Sequence, residues 1–160
     1  MAETTQSNKL TVEPHGERQI KAERIFNAPR DKVFAAMTDP ELIPKWWGPH
    51  GTTTRVEEMN VEPGGRWHYV SESKEEPHEF SGTYRVIDAP ERIEQTFEWG
   101  GMPGYISVDA IELEDLGDQT RVLAMSTFHF PEERDGMLAS GMEGGMGETY
   151  DRLEELLETL

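Results

Sequence analysis

Side chains able to move protons or hold metals are plentiful in this sequence but poorly assembled. Five histidines stand at positions 15, 50, 68, 78 and 129. None has the HxxxH or HExxH spacing that sets paired imidazoles on one helix face toward zinc. Cysteine is absent, which excludes thiolate metal sites, disulfides and a cysteine nucleophile. Glu57, Glu58, Glu98 and Glu112 fall in segments patterned as strands, where paired carboxylates can do acid–base work. With 32 acidic residues in the chain, chance placement accounts for them. Arg24, Arg66 and Arg85 carry the charge to neutralise such carboxylates or to meet a polar ligand head, and the sequence does not separate these roles. No serine, histidine and acid follow a recognisable nucleophile order. GMEGGMG (141–147) is glycine-rich like a phosphate cradle, but it lacks the closing G-K-[ST], and Glu143 and Glu148 would repel phosphate. The chain thus shows no catalytic set and no metal set, and it calls for no cofactor.

Charge narrows the partners further. Thirty-two acids against 15 bases leave a net charge of −17. Nucleic acid and anionic membrane surfaces would be repelled, and the expected role of the charge is a solvated acidic surface. The longest apolar run, VFAAM (33–37), is far too short to insert into a membrane, and MAETTQSNKL lacks the basic and apolar regions of a signal peptide. A cytoplasmic protein is the expectation. A chain of 160 residues suits one domain with a real core.

The elements that would position any site follow from periodicity. Residues 1–18 read as a polar tail, with LTV (10–12) as a short edge strand and Pro14, His15 and Gly16 breaking the pattern. QIKAERIF (19–26) alternates as a strand. Pro29 and Asp31 open a first short helix carrying Val33, Phe34 and Met37. Asp39-Pro40 opens a second, which runs through Leu42, Ile43 and Trp46 to Gly48. From 52 to 130 the sequence reads as about six strands with short turns: EPGG as a type II turn, Ala89-Pro90, GGMPG, LGD, and Pro131 as the stop. HEFSGTYRVI would place Phe80, Gly82, Tyr84 and Val86 on one face, and ERIEQTFEW would place Ile93, Gln95, Phe97 and Trp99 together. One strand, two helices and a run of strands make an antiparallel α+β meander with an aromatic face to cover.

The last segment supplies the cover. At 100° per residue, Met142, Met146, Tyr150, Leu153, Leu157 and Leu160 fall within an arc of about 80°, a buried stripe. Four glycines, at 141, 144, 145 and 147, crowd its start, and each Gly inside a helix costs about 1 kcal/mol relative to Ala. Tyr150 and the leucines would hold the helix while two methionines alone hold its first turns, leaving that part free to adapt.

ERIFNAPRDKVFAAMTDPELIPKWWGP, VEPGGRWHYV, EFSGTYRVIDAPERIEQTFEW and SGMEGGMGETYDRLEELL, in that order, resemble the family related to the C-terminal domain of the heat-shock-protein-90 ATPase activator. That family belongs to the START-like, birch-pollen-allergen-like (SRPBCC) superfamily. The resemblance spans roughly residues 19–158. It implies a helix-grip fold: a curved antiparallel sheet of about seven strands wrapped on a long C-terminal helix, with two short helices after the first strand. It also implies a cavity between sheet and helix that takes lipids, hormones or polyketides in related proteins. The family often carries Trp at the position of Met146, and Met leaves more room and a softer wall.

The expected cavity wall is aromatic, from Trp67, Tyr69, Phe80, Tyr84, Phe97, Trp99 and Phe128. Small residues Gly82, Ala110, Ala124 and Ser126, with Val108 beside them, leave space unfilled. Met142 and Met146 roof it, Tyr150 anchors the helix, and Trp46 faces inward to seal one end, with Trp47 at the rim. The expected partner is an apolar or amphipathic small molecule, lipid-like or aromatic. Two other classes stand beside it: a chaperone as protein partner, as the family name suggests, and a cyclase or hydrolase acting in the same cavity.

Overall fold

The computed structural model describes residues 9–160. Strands β1 (Thr11–His15), β2 (Gln19–Phe26), β3 (Thr53–Met59), β4 (Arg66–Glu72), β5 (His78–Asp88), β6 (Arg92–Trp99), β7 (Ile106–Asp115) and β8 (Thr120–Thr127) form one curved antiparallel sheet. Their spatial order is β1-β2-β8-β7-β6-β5-β4-β3. Helices α1 (Arg30–Thr38) and α2 (Ile43–Trp46) carry the chain from β2 to the opposite sheet edge at β3. Helices α3 (Pro131–Ala139) and α4 (Met142–Leu157) follow β8. This is the helix-grip architecture, with eight strands rather than about seven.

Alternation builds the sheet. In β2, Ile20, Ala22, Arg24 and Phe26 are buried while their neighbours are not. β1 pairs with β2 from Thr11↔Glu23 to His15↔Gln19 and passes through Pro14. A proline is tolerated there because the strand is at the sheet edge. A bulge in β5 between Tyr84 and Val86 changes the expected register: Ile87 pairs with Ile93 on the inner face, and Val86 turns outward opposite Glu94. Gly82 has a steric role. A Cβ there would lie 1.9 Å from the Thr96 carbonyl oxygen and 2.6 Å from Trp67 Nε1, so only glycine lets that indole lie across the strand. Trp67 Nε1 donates to the Thr96 carbonyl at 3.2 Å.

Pro131 does not merely end the sheet. It opens α3, with Glu132 and Glu133 in the first turn, where acidic side chains complement the helix dipole. Buried Arg134 ties α3 to the β1–β2 hairpin, donating to the carbonyls of Gly16 at 3.0 Å and Gln19 at 2.9 Å. Gly141, at φ 86° in the left-handed region, breaks α3 from α4.

The solid core lies at one end of the grip. Phe26, Val33, Ala36, Ile43, Ile93, Leu113, Val122, Leu153 and Leu157 are buried there, between the sheet, α1, α2 and the second half of α4. Polar straps reinforce that half of α4. Arg152 Nη1 donates to the Gly48 carbonyl at 2.8 Å, and the Asn27 amide donates to the Glu154 carboxylate at 3.2 Å. Leu160 departs from the expected stripe. It lies beyond the helix, 43 % exposed, with its carbonyl accepting from Lys32 Nζ at 2.7 Å.

Candidate functional site

Cross-strand register assigns the inner face residue by residue. On β8 it is Val122, Ala124 and Ser126, which pair with Leu113, Ile111 and Asp109 of β7. β7 in turn sets Ile111, Asp109 and Ser107 opposite Ile93, Gln95 and Phe97 of β6. Tyr84 and Phe80 of β5 pair with Gln95 and Trp99. Trp67 and Tyr69 of β4 pair with Gly82 and Phe80.

Two expected lining residues are therefore misplaced. Val108 and Ala110 lie on the outer face, opposite Thr127 and Met125 of β8. They border a shallow outer cleft of about 300 Å³ with Leu123, Met125 and Glu94. The segment ISVDAIEL alternates in two ways. The apolar choice takes Val108 and Ala110 inward, but buried Leu113 and partly buried Ile111 fix the opposite set, Ser107 and Asp109. Continuing the Ile111–Leu113 period two residues upstream would have found Asp109 in the sequence.

Trp46 is also assigned differently. Its ring is buried, but Nε1 donates to the Ala36 carbonyl of α1 at 2.9 Å, so it seals helix to helix. Trp47 reaches the aromatic wall instead, edge-on to Tyr69 and Phe80 at 5.1 and 5.0 Å. The reason is local: α2 ends at Trp46, and Trp47 is already extended at φ −72°, ψ 125°, which redirects its side chain.

The aromatic wall itself is continuous. Ring centroids lie 4.8 Å apart for Trp67–Tyr69, 5.9 Å for Trp67–Phe97 and 5.6 Å for Phe80–Phe97. Trp99 stands at the rim, its Nε1 donating to His78 Nδ1 at 3.3 Å. Phe128 is buried just past β8, where its amide donates to the Arg18 carbonyl at 2.9 Å. Burial pushes the Tyr69 hydroxyl well above the ordinary phenol range, and the nearby Tyr84 hydroxyl adds to the rise.

Packing differs along the grip. Toward α1, the inner-face residues Phe26, Val122, Leu113 and Ile93 are buried. Toward the start of α4, the inner-face residues Phe80, Gln95, Phe97, Asp109, Ile111 and Ser126 each keep accessible surface, although Trp67, Tyr69, Tyr84, Ser107 and Ala124 among them are buried. Met142 and Met146 on α4 are likewise only partly covered, whereas Tyr150 and Leu153 are buried. Asp109 shows the contrast most clearly. It sits deep in the domain, where loss of hydration pushes its carboxyl up to about 6, against hydrogen bonds from Ser126 and Ser107 that favour the charged form. Yet its surface is not closed off. Ser107 Oγ lies 3.4 Å from Asp109 Oδ1. Burial first, and the Asp109 charge second, hold the Tyr150 hydroxyl protonated.

Arg24, the cation nearest this interior, is engaged elsewhere. Its Nη1 donates to Asp151 Oδ1 at 2.7 Å, and its guanidinium lies 5.1 Å over the Phe26 ring. Tyr150 packs edge-on to the Phe26 ring, with centroids 5.4 Å apart. Glu57, Glu58, Glu98 and Glu112 all belong to exposed or outer-face positions. Glu57 and Glu58 pair with Arg55 and Arg66 at 2.7 and 3.9 Å, Glu112 pairs with Arg92 at 2.5 Å, and Glu98 accepts from the Gly104 amide at 2.8 Å. Arg85 meets Glu94 at 3.4 Å on the same outer face. Among the described residues no group of three or more His, Cys, Asp or Glu could hold a metal ion, and no helix is long and apolar enough to cross a membrane.

The fold has well-matched relatives of known structure. A Rhodobacter sphaeroides protein superposes with a TM-score of 0.89 at 23% identity, over 95% of this chain and 99% of its own. A Staphylococcus epidermidis protein gives 0.81 at 29% identity, over 93% and 94%. DynU16, a protein of the dynemicin biosynthetic locus, gives 0.67 at 17% identity over 91% of this chain and 48% of its own. No curated protein matches the sequence. The family described as activator of Hsp90 ATPase homolog 1-like protein matches residues 27–158, and the chain belongs to that family.

Proposed function

We propose that this protein binds a small amphipathic molecule in a hollow between the centre of the sheet and the glycine-rich half of α4. One observation carries the reading: Phe80, Gln95, Phe97, Asp109, Ile111 and Ser126 face inward yet keep accessible surface, while inner-face residues at the α1 end are sealed. A well-packed core leaves few voids larger than a water molecule, so a row of unsealed inward residues supports space for a guest. The aromatic wall and the two methionines supply apolar contact at about 25 cal/mol per Å² removed from water. A fold shared with a protein of the dynemicin biosynthetic locus is in keeping with a small organic guest.

The test is titration with N-phenyl-1-naphthylamine, a neutral dye that brightens in apolar surroundings. The wild type should take up about one dye per chain, and Met146→Trp should weaken uptake roughly tenfold by filling the space beneath the helix. Dye uptake unchanged by Met146→Trp would place the binding elsewhere. The family's description also names an activator of Hsp90 ATPase. Stimulation of that ATPase by this chain, undiminished by Met146→Trp, would move the function from the hollow to the surface.

A further inference from the structure

Four polar side chains of the inner face are gathered at one place. Asp109 lies at the middle of the sheet, with Ser126 opposite it on β8 and Gln95 opposite it on β6. Ser107, two residues earlier on the same face, stands 3.4 Å from its Oδ1. Around this island the sheet face is apolar: Phe97, Ile111 and Ala124. A carboxylate offers about four acceptor positions, and two hydroxyls fill at most two of them.

Among the described residues no cation pairs with Asp109. Arg24 is held through Nη1 by Asp151 at 2.7 Å, its buried Nε has no hydrogen-bond partner among the described residues, and its charge does not figure among the causes that set the Asp109 carboxyl. Tyr150 on α4 remains a neutral phenol. A carboxylate in this setting gains from any donor that reaches it and gains most from a cation. It opposes a second carboxylate at close range, and the net charge of −17 adds to that opposition at long range.

We infer that the hollow selects guests whose buried polar end donates hydrogen bonds to Asp109, an alkylammonium or an alcohol, and rejects guests that end in a carboxylate. The inference rests on the binding role proposed above. Ser107, Ser126 and Gln95 orient the donor, and the aromatic wall takes the hydrocarbon. Specificity then arises as much from the repelled anion as from the accepted donor.

Displacement of N-phenyl-1-naphthylamine by decylamine, decanol and decanoate tests this. At pH 7.5 decylamine and decanol should displace the dye at concentrations about tenfold or more below that of decanoate. Asp109→Asn should weaken decylamine about tenfold, leave decanol within about threefold, and strengthen decanoate. A pH series on the wild type gives an independent readout. Of the groups facing Asp109, Ser107, Ser126 and Gln95 do not titrate, Tyr150 and Tyr84 stay protonated, and the Arg24 guanidinium is paired with Asp151. The preference for decylamine over decanol should therefore fall as the pH is lowered through about 6, where Asp109 takes up its proton. Decanoate binding as well as decylamine, or an amine preference that survives both Asp109→Asn and low pH, overturns the selection while the hollow stands. Failure of the dye itself to bind removes the hollow and the selection together.

Discussion

Asp109 is ionised at a cost. Its native carboxyl titrates at about 6 against a reference of 3.8, because burial disfavours the charge more than Ser126 and Ser107 relieve it. The native state therefore holds this proton more tightly than the unfolded chain does. The stabilisation is complete below about pH 4 and is lost as pH rises through about 6. Asp109→Asn, which keeps the hydrogen-bonding shape without the charge, should raise stability at pH 8 by about 1–3 kcal/mol and change it little near pH 4. Urea unfolding at both pH values checks this. Equal destabilisation at both would mean the carboxylate is an unstrained structural partner. Asp109 was hidden in the sequence by its neighbours. Val108 and Ala110 look like lining and Asp109 looks like surface, because an inward carboxylate on β7 inverts the usual inward-apolar rule. Gln95, Phe97, Ala124 and Ser126 were legible because Ile93, Val122 and Phe128, buried at the same spacing, fix the alternation. Trp47 was not, since its direction depends on where α2 stops.

At the scale of elements, α4 divides into a fixed half and a lightly held half. Tyr150, Leu153 and Leu157 are buried, with Arg152 and Glu154 strapped to the α2 and β2 ends, whereas Met142 and Met146 are partly open. Gly144 is helical, and a Cβ added there meets nothing within 4 Å. Gly144→Ala should stabilise the protein by about 0.5–1 kcal/mol and slow amide exchange over 142–148. Gly141→Ala should destabilise by about 1 kcal/mol or more, because its φ of 86° strains any side chain. Thermal melts separate the two, and a loss of stability in Gly144→Ala would show that the glycine is not simply a weak helix position. If the lightly held half admits guests, Gly144→Ala should also slow dye entry. The strands and α1, α2 and α4 could be read from period and turn chemistry. Helix α3 could have been, from Pro131 followed by Glu132 and Glu133, but its outward face is polar and its inward anchor is an arginine, so the apolar periodicity that marks helices is missing. The β5 bulge has no signal in HEFSGTYRVI beyond its pairing with β6.

Over the whole molecule, charge and shape act separately. The acidic excess lies outside, partly paired in ladders such as Arg92 with Glu94 and Glu112, while the interior carries Asp109 among hydroxyls. Self-repulsion at net −17 should be relieved by screening, so raising NaCl from about 20 to about 300 mM should raise the urea midpoint at pH 8. A fall would mean that the surface ion pairs outweigh the repulsion. The family and the fold were legible because ordered motifs cover most of the chain. The packing of α4 against the sheet was not, because it depends on how far α4 stands from the sheet centre, which no local pattern encodes. The most direct test uses the methionines themselves, since Met142 and Met146 roof the proposed hollow while Met125 lines the outer cleft. With methyl-labelled methionine, titration with decanol should shift the Met142 and Met146 resonances and leave Met125 in place. Shifts confined to Met125, or none at the two roof methionines while decanol binds, would contradict a guest site beneath α4.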